Sequence, residues 1–238
     1  MRSINSGCKW VERIKTLFAL ALLLLISCAS SQLDQAEQWQ SQLHAEHALV
    51  GMIWDSQADE FIEANELFAR TERVSYLLLG EKHDNPDHHA LQLRALDHVL
   101  QTNTVSTVSF EMMSSEQQPL LQELSAYRQS SLEQINEYLQ WDNEGWDWDY
   151  YAPLLHSAMQ SDVLINAANI SNEEMMQVYG APTAAKIEGV LDEQTMAALE
   201  KDIDESHCGM LPESQFPAMV RVQQARDFAM ADSLAASS

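Results

Sequence analysis

A dense group of ionisable side chains occupies residues 80–89, which hold three histidines, three acidic residues and one lysine. Glu81 and His83 directly follow a short apolar run, and Glu111 follows a second one. Carboxylates and an imidazole at one site can carry out general acid–base chemistry, because crowded negative charges push their pKa values apart. The same groups are ligands for zinc or iron. The sequence thus leaves open an acid–base centre or a metal centre built on Glu81, His83 and Glu111.

Other side chains in residues 80–89 have simpler explanations. Asp84 and Asp87 favour the start of a helix, whose dipole attracts negative charge to its first turn. His88 and His89 fall on that first turn, where exposed histidines are common. We keep His88 among the candidate ligands and give His89 less weight.

Residues 141–151 form the second unusual stretch, with three tryptophans and two tyrosines. Flat aromatic rings in this number can hold an aromatic ligand or a protein partner. A loop that caps the core, with Trp146 and Trp148 buried, explains the same residues without a ligand. The four acidic residues of the stretch would repel an anionic ligand unless they face outward.

A third candidate lies where a Gly-x-x-Pro turn separates two predicted helices. His207 and Cys208 could ligate a soft metal or haem. A cysteine beside such a turn is more often a small packed apolar residue.

The elements that position these residues alternate between strand and helix. Apolar runs predict strands at 74–79, 105–110 and 163–167, with an edge strand at 49–54. Asn85 and Pro86 mark the N-cap and first residue of a helix, whose core face is Leu91, Leu93, Ala95, Leu96, Val99 and Leu100. Further helices are predicted at 115–127, 131–139, 150–160, 172–179, 182–189, 192–205 and 213–234.

This alternation predicts an α/β fold with a mostly parallel sheet flanked by helices. Ligands of such sheets bind beyond the carboxyl ends of the strands. The rule selects residues 80–89, 111–114 and 166–171 as the edge that carries the site.

The N-terminus has the pattern of a targeting segment. A basic start precedes the apolar run LFALALLLLIS at residues 17–27, which is too short to span a bilayer comfortably. Cys28 follows Leu-Ile-Ser, which resembles a bacterial lipoprotein signal cut before an acylated cysteine. We therefore expect a signal peptide at 1–27, a lipidated tether at 28–40 and one domain at 41–238. By the same resemblance, Ala29 permits sorting to the outer membrane.

The amino-acid composition argues against two classes of protein, nucleic-acid-binding proteins and disordered chains. The chain has 36 acidic against 13 basic residues and a formal charge of −23. Nucleic-acid binding requires clustered lysine and arginine, so this acidity argues against it. Apolar residues make up 46%, as expected for a globular domain and not for a disordered chain.

Six segments taken together resemble the ChaN family of bacterial haem-binding lipoproteins, within a wider group that includes Tiki-type metalloproteases and erythromycin esterases. The segments are GEKHDNPDHHALQL (80–93), FEMM (110–113), WDNEGWDWDYYAPLL (141–155), AANIS (167–171), HCGMLP (207–212) and QQARDFAMA (223–231). They keep the family's order and span about residues 45–235.

The resemblance implies a lipid-anchored protein of haem and iron acquisition. It implies two haems sandwiched in a homodimer, each iron taking a tyrosine, with a histidine from the partner chain. Tyr150 and Tyr151 are the first candidates for that tyrosine, with Tyr127, Tyr138 and Tyr179 as alternatives, and His83, His88 and His207 complete the candidate haem site. An outer-membrane haem receptor is the implied exchange partner. The wider group implies metal or acid–base roles for Glu81, His83 and Glu111.

One departure from the family's pattern concerns the end of the chain. Family members continue past the last quoted segment into a strand ending in Gly-x-Gly-His. The resemblance therefore implies that the last strand or strands of the sheet are missing here.

Three functions follow in order of preference. The first is a haem-binding protein of the outer membrane, so a binding protein is preferred over an enzyme. The second is a metal-dependent or acid–base hydrolase using Glu81, His83 and Glu111, although the chain has no nucleophile elbow and no His-Glu-x-x-His helix. The third is a scaffold that docks another envelope protein through its Trp-rich loop.

Overall fold

The computed structural model describes residues 39–102, 105–181 and 190–235. The predicted signal, Cys28 and the predicted helix at 182–189 lie outside these residues. The chain divides into two compact units, with the boundary between Ala69 and Arg70. In the described ranges, no helix is both long and apolar enough to cross a membrane.

The described part of the first unit, residues 39–69, contains a short hairpin. Strand β1 (Ile53–Asp55) pairs antiparallel with β2 (Glu60–Ile62). The Asp55 carboxylate accepts hydrogen bonds from the backbone N–H groups of Gln57 and Ala58, which closes the turn. Of the edge strand predicted at 49–54, only residues 53 and 54 lie in a strand, which pairs with β2 in a two-stranded sheet. Helix α1 (Ala64–Thr71) follows β2.

The second unit is built on two parallel strands, β3 (Thr107–Ser114) and β4 (Leu164–Asn169). Val108 pairs with Ile165 and Phe110 with Ala167, and the register becomes irregular between Phe110 and Ser114. Both strands were predicted, and β3 extends four residues beyond its predicted end. The predicted α/β class with a parallel sheet is confirmed.

The prediction of a buried strand at 74–79 is wrong. These residues form no ladder with another strand in the described chain, and the Leu78 side chain is 79% exposed. Leu79 alone packs against the core, and its carbonyl accepts a hydrogen bond from Gln92 Nε2 at 2.7 Å. An apolar run indicates a preference for burial. A strand also requires a neighbouring strand whose backbone forms hydrogen bonds with its N–H and C=O groups.

Seven helices of the second unit are described. They are α2 (Pro86–Thr102), α3 (Gln118–Gln122), α4 (Leu132–Leu139), α5 (Trp148–Gln160), α6 (Asn172–Gly180), α7 (Glu193–Ser206) and α8 (Phe216–Ala235). The single helix predicted at 115–127 is instead α3 between two 3₁₀ turns, because Glu123 leaves the helical conformation.

Capping side chains fix where the helices begin. Asn85 Oδ1 accepts from the backbone N–H of Asp87 at 3.0 Å, which confirms the predicted N-cap of α2. Asp147 caps α5 in the same way, so α5 begins two residues before the predicted start. Ser171 and Glu174 form a capping box at α6.

The core lies between the sheet and the helices α2, α4 and α5. Its largest buried side chains are Met113, Leu124, Ile135, Leu139, Tyr151 and Leu155. Helix α2 contributes Leu96 and Val99, whereas Leu91, predicted to face the core, is exposed. Ile165 joins this core, and the next residue, Asn166, donates from Nδ2 to the Ser233 carbonyl of α8. Since neighbouring side chains of a strand face opposite ways, α8 covers the other face of the sheet.

Candidate functional site

One candidate site is centred on the Glu81 carboxylate, in the turn that leads into α2. The Glu81 side chain is only 6% exposed. Its Oε1 lies 2.5 Å from His83 Nδ1 and accepts a hydrogen bond of 2.9 Å from the Tyr151 hydroxyl. Tyr151 comes from the first turn of α5, so residues 70 positions apart meet at one oxygen. We call Glu81, His83, His89, Tyr150 and Tyr151 the Glu81 cluster.

His89 forms the buried wall of the cluster. Its Nε2 lies 3.1 Å from the His83 carbonyl oxygen and 4.0 Å from Glu81 Oε2, and its ring stacks on Tyr150 with centroids 4.6 Å apart. A carbonyl only accepts hydrogen bonds, so His89 Nε2 carries a proton. Neither His89 Nδ1 nor Glu81 Oε2 has a hydrogen-bond partner among the described residues, although both are buried.

The Tyr151 phenol is held in its protonated form. Burial raises its pKa above the ordinary value of 10, and the hydrogen bond to Glu81 and the charges of Glu81, Glu111 and Asp147 raise it further. Its side chain is only 1% exposed. Tyr151 is therefore a fixed donor to Glu81.

His83 is the solvent-facing member of the cluster. Its side chain is 59% exposed, and its ring meets Trp146 edge-on with centroids 4.7 Å apart. With Nδ1 directed at Glu81, Nε2 is left to accept a proton. A carboxylate that orients an imidazole in this way is the arrangement of a general base.

The structure separates the other residues predicted at this edge. Glu111 lies within β3. Its negative charge acts on the cluster by helping to raise the pKa of Tyr151. His88 Nδ1 accepts from the Lys82 backbone N–H at 3.0 Å, which ties down the turn before α2. In the described part of the chain, no three histidine, cysteine or acidic side chains come together as a metal site would require.

The Trp-rich loop supports the cluster from one side. Trp141 is buried, and its Nε1 donates to the Trp146 carbonyl at 2.9 Å. Trp141 also contacts Trp148 edge-on and lies beside Tyr151. The acidic residues of the loop, Asp142, Glu144, Asp147 and Asp149, are exposed.

A second candidate site is a cavity of about 580 Å³ between α6, α7 and α8. It is lined by Met175, Met176, Tyr179, Ile203, Ser206, His207, Met219, Val222, Gln223 and Arg226. We call it the methionine cavity. Its size lies in the usual range for a small-molecule site, about 300–1,000 Å³.

His207, at the end of α7, has one ring nitrogen without a hydrogen-bond partner among the described residues. Its Nδ1 lies 2.7 Å from the Ile203 carbonyl oxygen and 3.2 Å from the Ser206 hydroxyl, and the carbonyl requires a proton on Nδ1. Nε2 then carries the lone pair. A backbone carbonyl on the far nitrogen is a common way of orienting a histidine that binds a metal. Cys208, next in the chain, is exposed and has a left-handed φ of 56°.

The five candidate tyrosines divide between the two sites and the edge of the core. Tyr127 and Tyr138 stack on each other, and the Tyr138 hydroxyl donates to the Leu120 carbonyl. Tyr150 and Tyr151 belong to the Glu81 cluster. Tyr179 lines the methionine cavity with His207.

The sequence singled out Glu81 and His83 in one segment and the tyrosine pair in another, and the structure joins them. His89 received less weight in the sequence, and Arg226 was not predicted. His89 precedes Leu93, Leu96 and Leu100 by four, seven and eleven residues, which places it on the inward face of α2. That spacing was the signal available in the sequence.

Comparison with known proteins adds an independent line of information. The sequence model of a family described as haem-binding uptake, Tiki superfamily, ChaN, matches residues 67–238. Among solved structures, ChaN of Campylobacter jejuni, described with cofacial haem binding, is similar with a TM-score of 0.68 and 25% identity. The match covers 77% of this chain and 74% of that one. Among curated proteins, none matches the chain significantly.

Proposed function

Since this chain belongs to the haem-binding uptake family of the Tiki superfamily that includes ChaN, we propose that it binds haem and serves iron uptake. Haem is a flat apolar molecule with two carboxylates and an iron that takes an axial ligand. A site for it needs an apolar cavity, a ligand atom and a place for the carboxylates.

The methionine cavity has all three features. Methionine and aliphatic side chains form most of its apolar wall, and methionine adapts its shape to large flat ligands. Arg226 supplies positive charge at the same wall. The observation that carries the proposal is the lone pair of His207 Nε2, fixed by the hydrogen bond from Nδ1 to Ile203.

Tyr179 suits the role of tyrosine ligand better than Tyr150 or Tyr151. A tyrosine binds ferric iron as the phenolate. Tyr151 is almost fully buried, its hydroxyl donates to Glu81, and its pKa is raised, all of which oppose the phenolate. Tyr150 is stacked on His89 in the same cluster. Tyr179 shares a cavity with His207.

Titration of the full chain with haemin tests this proposal. We expect a saturable shift of the Soret band that is weakened about tenfold or more in His207→Ala, equivalent to about 1.4 kcal/mol or more. His156→Ala, which changes an exposed histidine of α5, is the control. Absence of a Soret shift in the wild-type chain would contradict haem binding.

Membrane anchoring and assembly are further parts of the proposal. Cys28 behind an apolar run supports a lipid anchor in the outer membrane. An outer-membrane receptor as the source of haem is part of the same proposal. The cofacial haem of the Campylobacter ChaN supports a homodimer that sandwiches two haems. We expect Cys28→Ser to abolish incorporation of labelled palmitate and release the protein from the membrane fraction. Haem-loaded wild type should have the mass of a dimer, and a monomer at saturation would count against the sandwich.

The Glu81 cluster supports a second candidate function, acid–base hydrolysis. The specific observation is the 2.5 Å contact between Glu81 Oε1 and His83 Nδ1, which leaves Nε2 facing solvent to activate water. Glu111 contributes negative charge nearby. A panel of chromogenic esters and peptides should show turnover that His83→Ala removes and His156→Ala keeps. Equal background rates for all three proteins would eliminate this candidate.

A further inference from the structure

We propose that Arg226 selects ligands by their carboxylate groups, so that the methionine cavity accepts iron-free dicarboxylate porphyrins as well as haem. The inference rests on the proposed function, because it concerns the same cavity. It goes further by assigning selection among porphyrins to their carboxylates, in addition to any contact with the iron.

The Arg226 guanidinium has no anionic partner among the described residues. Within the described ranges it makes one hydrogen bond, from an Nη atom to the Met175 sulfur at 3.6 Å, and sulfur is a weak acceptor. Its Nε is buried and has no hydrogen-bond partner in the same part of the chain. Leaving a partly buried cation without a counter-ion is unfavourable, and this chain has 36 acidic residues that could have supplied one.

Arg221 on the same helix shows the contrast. Its guanidinium donates to the carbonyls of Val178, Tyr179 and Pro217, so it closes the C-terminal end of α6. Arg221 is thus occupied by the protein itself. Arg226, five residues later, lines the cavity, and the hydrogen bond that it makes to a described residue is the weak one to Met175.

The chemistry of the wall identifies the ligand class. A guanidinium matches a carboxylate with two parallel hydrogen bonds. The rest of the wall is largely methionine and aliphatic, which suits an apolar ring system. Neither contact involves a metal. A porphyrin that keeps its propionates but lacks iron satisfies both.

The test compares the affinities of the full chain for protoporphyrin IX and for its dimethyl ester, by fluorescence in one detergent-containing buffer. We expect the free acid to bind about tenfold or more tightly than the ester. Arg226→Gln should lower the affinity for the acid to that for the ester, and Arg226→Lys should lower it less. Arg73→Gln, which removes an exposed arginine outside the cavity, is the matched control.

Each outcome decides the inference. Equal binding of acid and ester by the wild-type chain, or haemin binding without protoporphyrin binding, would overturn it while leaving haem binding intact. Failure of haemin to bind, with discrimination between acid and ester retained, would refute the proposed function alone. The wild-type comparison requires no variant, so it remains decisive if an Arg226 variant does not fold.

Discussion

The Tyr151 hydroxyl donates to a carboxylate that is itself almost entirely removed from water. A buried carboxylate loses its hydration, and hydrogen-bond donors must replace it. Tyr151 and His83 supply two such donors at Glu81 Oε1. The cluster thus joins the turn before α2 to the first turn of α5.

Removing the Tyr151 hydroxyl should destabilise the fold. We expect Tyr151→Phe to lower the free energy of unfolding by about 1–3 kcal/mol, since Glu81 keeps its burial but loses a donor. Urea denaturation measures the change. Tyr150→Phe is the control, because the Tyr150 hydroxyl forms no hydrogen bond with another described residue and the stacking of its ring on His89 would remain. An equal loss of unfolding free energy in Tyr150→Phe would show that the hydrogen bond from Tyr151 to Glu81 is not the cause of the destabilisation.

At the scale of single residues, the sequence predicted the members of the Glu81 cluster better than their roles. Glu81, His83 and Tyr151 stood out because ionisable and aromatic residues were concentrated around them. Their pairing depends on contacts between α2 and α5 that no local pattern encodes. His207 was predicted as a ligand because Cys208 follows it. That Nε2 is the nitrogen with the lone pair follows only from the structure, in which Nδ1 contacts the Ile203 carbonyl.

At the scale of elements, α6 is fixed to the end of β3 by one side chain. Glu174 Oε2 accepts from the Ser171 backbone N–H at 2.8 Å and from the Ser115 hydroxyl at 3.0 Å. These donors, the backbone N–H first, hold the pKa of Glu174 below its ordinary value of 4.5. Because α6 forms one wall of the methionine cavity, this contact also positions Tyr179.

The lowered pKa of Glu174 predicts a pH-dependent contribution to stability. A carboxyl group whose pKa is depressed by folding stabilises the fold above its unfolded pKa, and that contribution is lost as the pH falls through the folded pKa. We expect wild type to lose more stability than Glu174→Gln as the pH drops below 4.5. Urea unfolding midpoints across this range test the difference. Glu173→Gln, on the same turn of α6, should behave as wild type.

The elements themselves were predicted well where local signals were strong. Asn85 was predicted as a cap, and α2 begins where expected. Ser131 and Ser171 also cap helices, with α4 beginning one residue after its predicted start and α6 at its predicted start. The segment 74–79 failed because strand formation depends on a partner and not only on an apolar run. The prediction of one helix at 115–127 was wrong because the backbone of Glu123 leaves the helical conformation. The sequence has no glycine there that would have indicated the break.

At the scale of the whole molecule, net charge and ligand charge have the same sign. The chain carries −23, and a porphyrin with two ionised propionates is an anion. Long-range repulsion therefore opposes approach to the cavity, and Arg226 attracts the ligand only at short range. Screening by salt acts on the first effect far more than on the second, because the Debye length is only about 8 Å at physiological ionic strength.

Salt should consequently accelerate haem capture. We expect the association rate of haemin, measured by stopped-flow absorbance, to rise as ionic strength increases. Protoporphyrin dimethyl ester lacks the carboxylate charges, so its association rate should change little. A haemin rate that falls with added salt would indicate that local positive charge, and not net charge, governs the encounter.

The exposed thiol of Cys208 is a site at which a fluorescent dye could be attached to report ligand binding. Cys208 is the residue next to His207, so a dye coupled to its sulfur would stand at the edge of the methionine cavity. With Cys8 and Cys28 replaced by serine, labelling would be confined to this one atom. Energy transfer from the dye to an arriving porphyrin would then quench its emission. Occupancy could be read in real time from the emission of the dye.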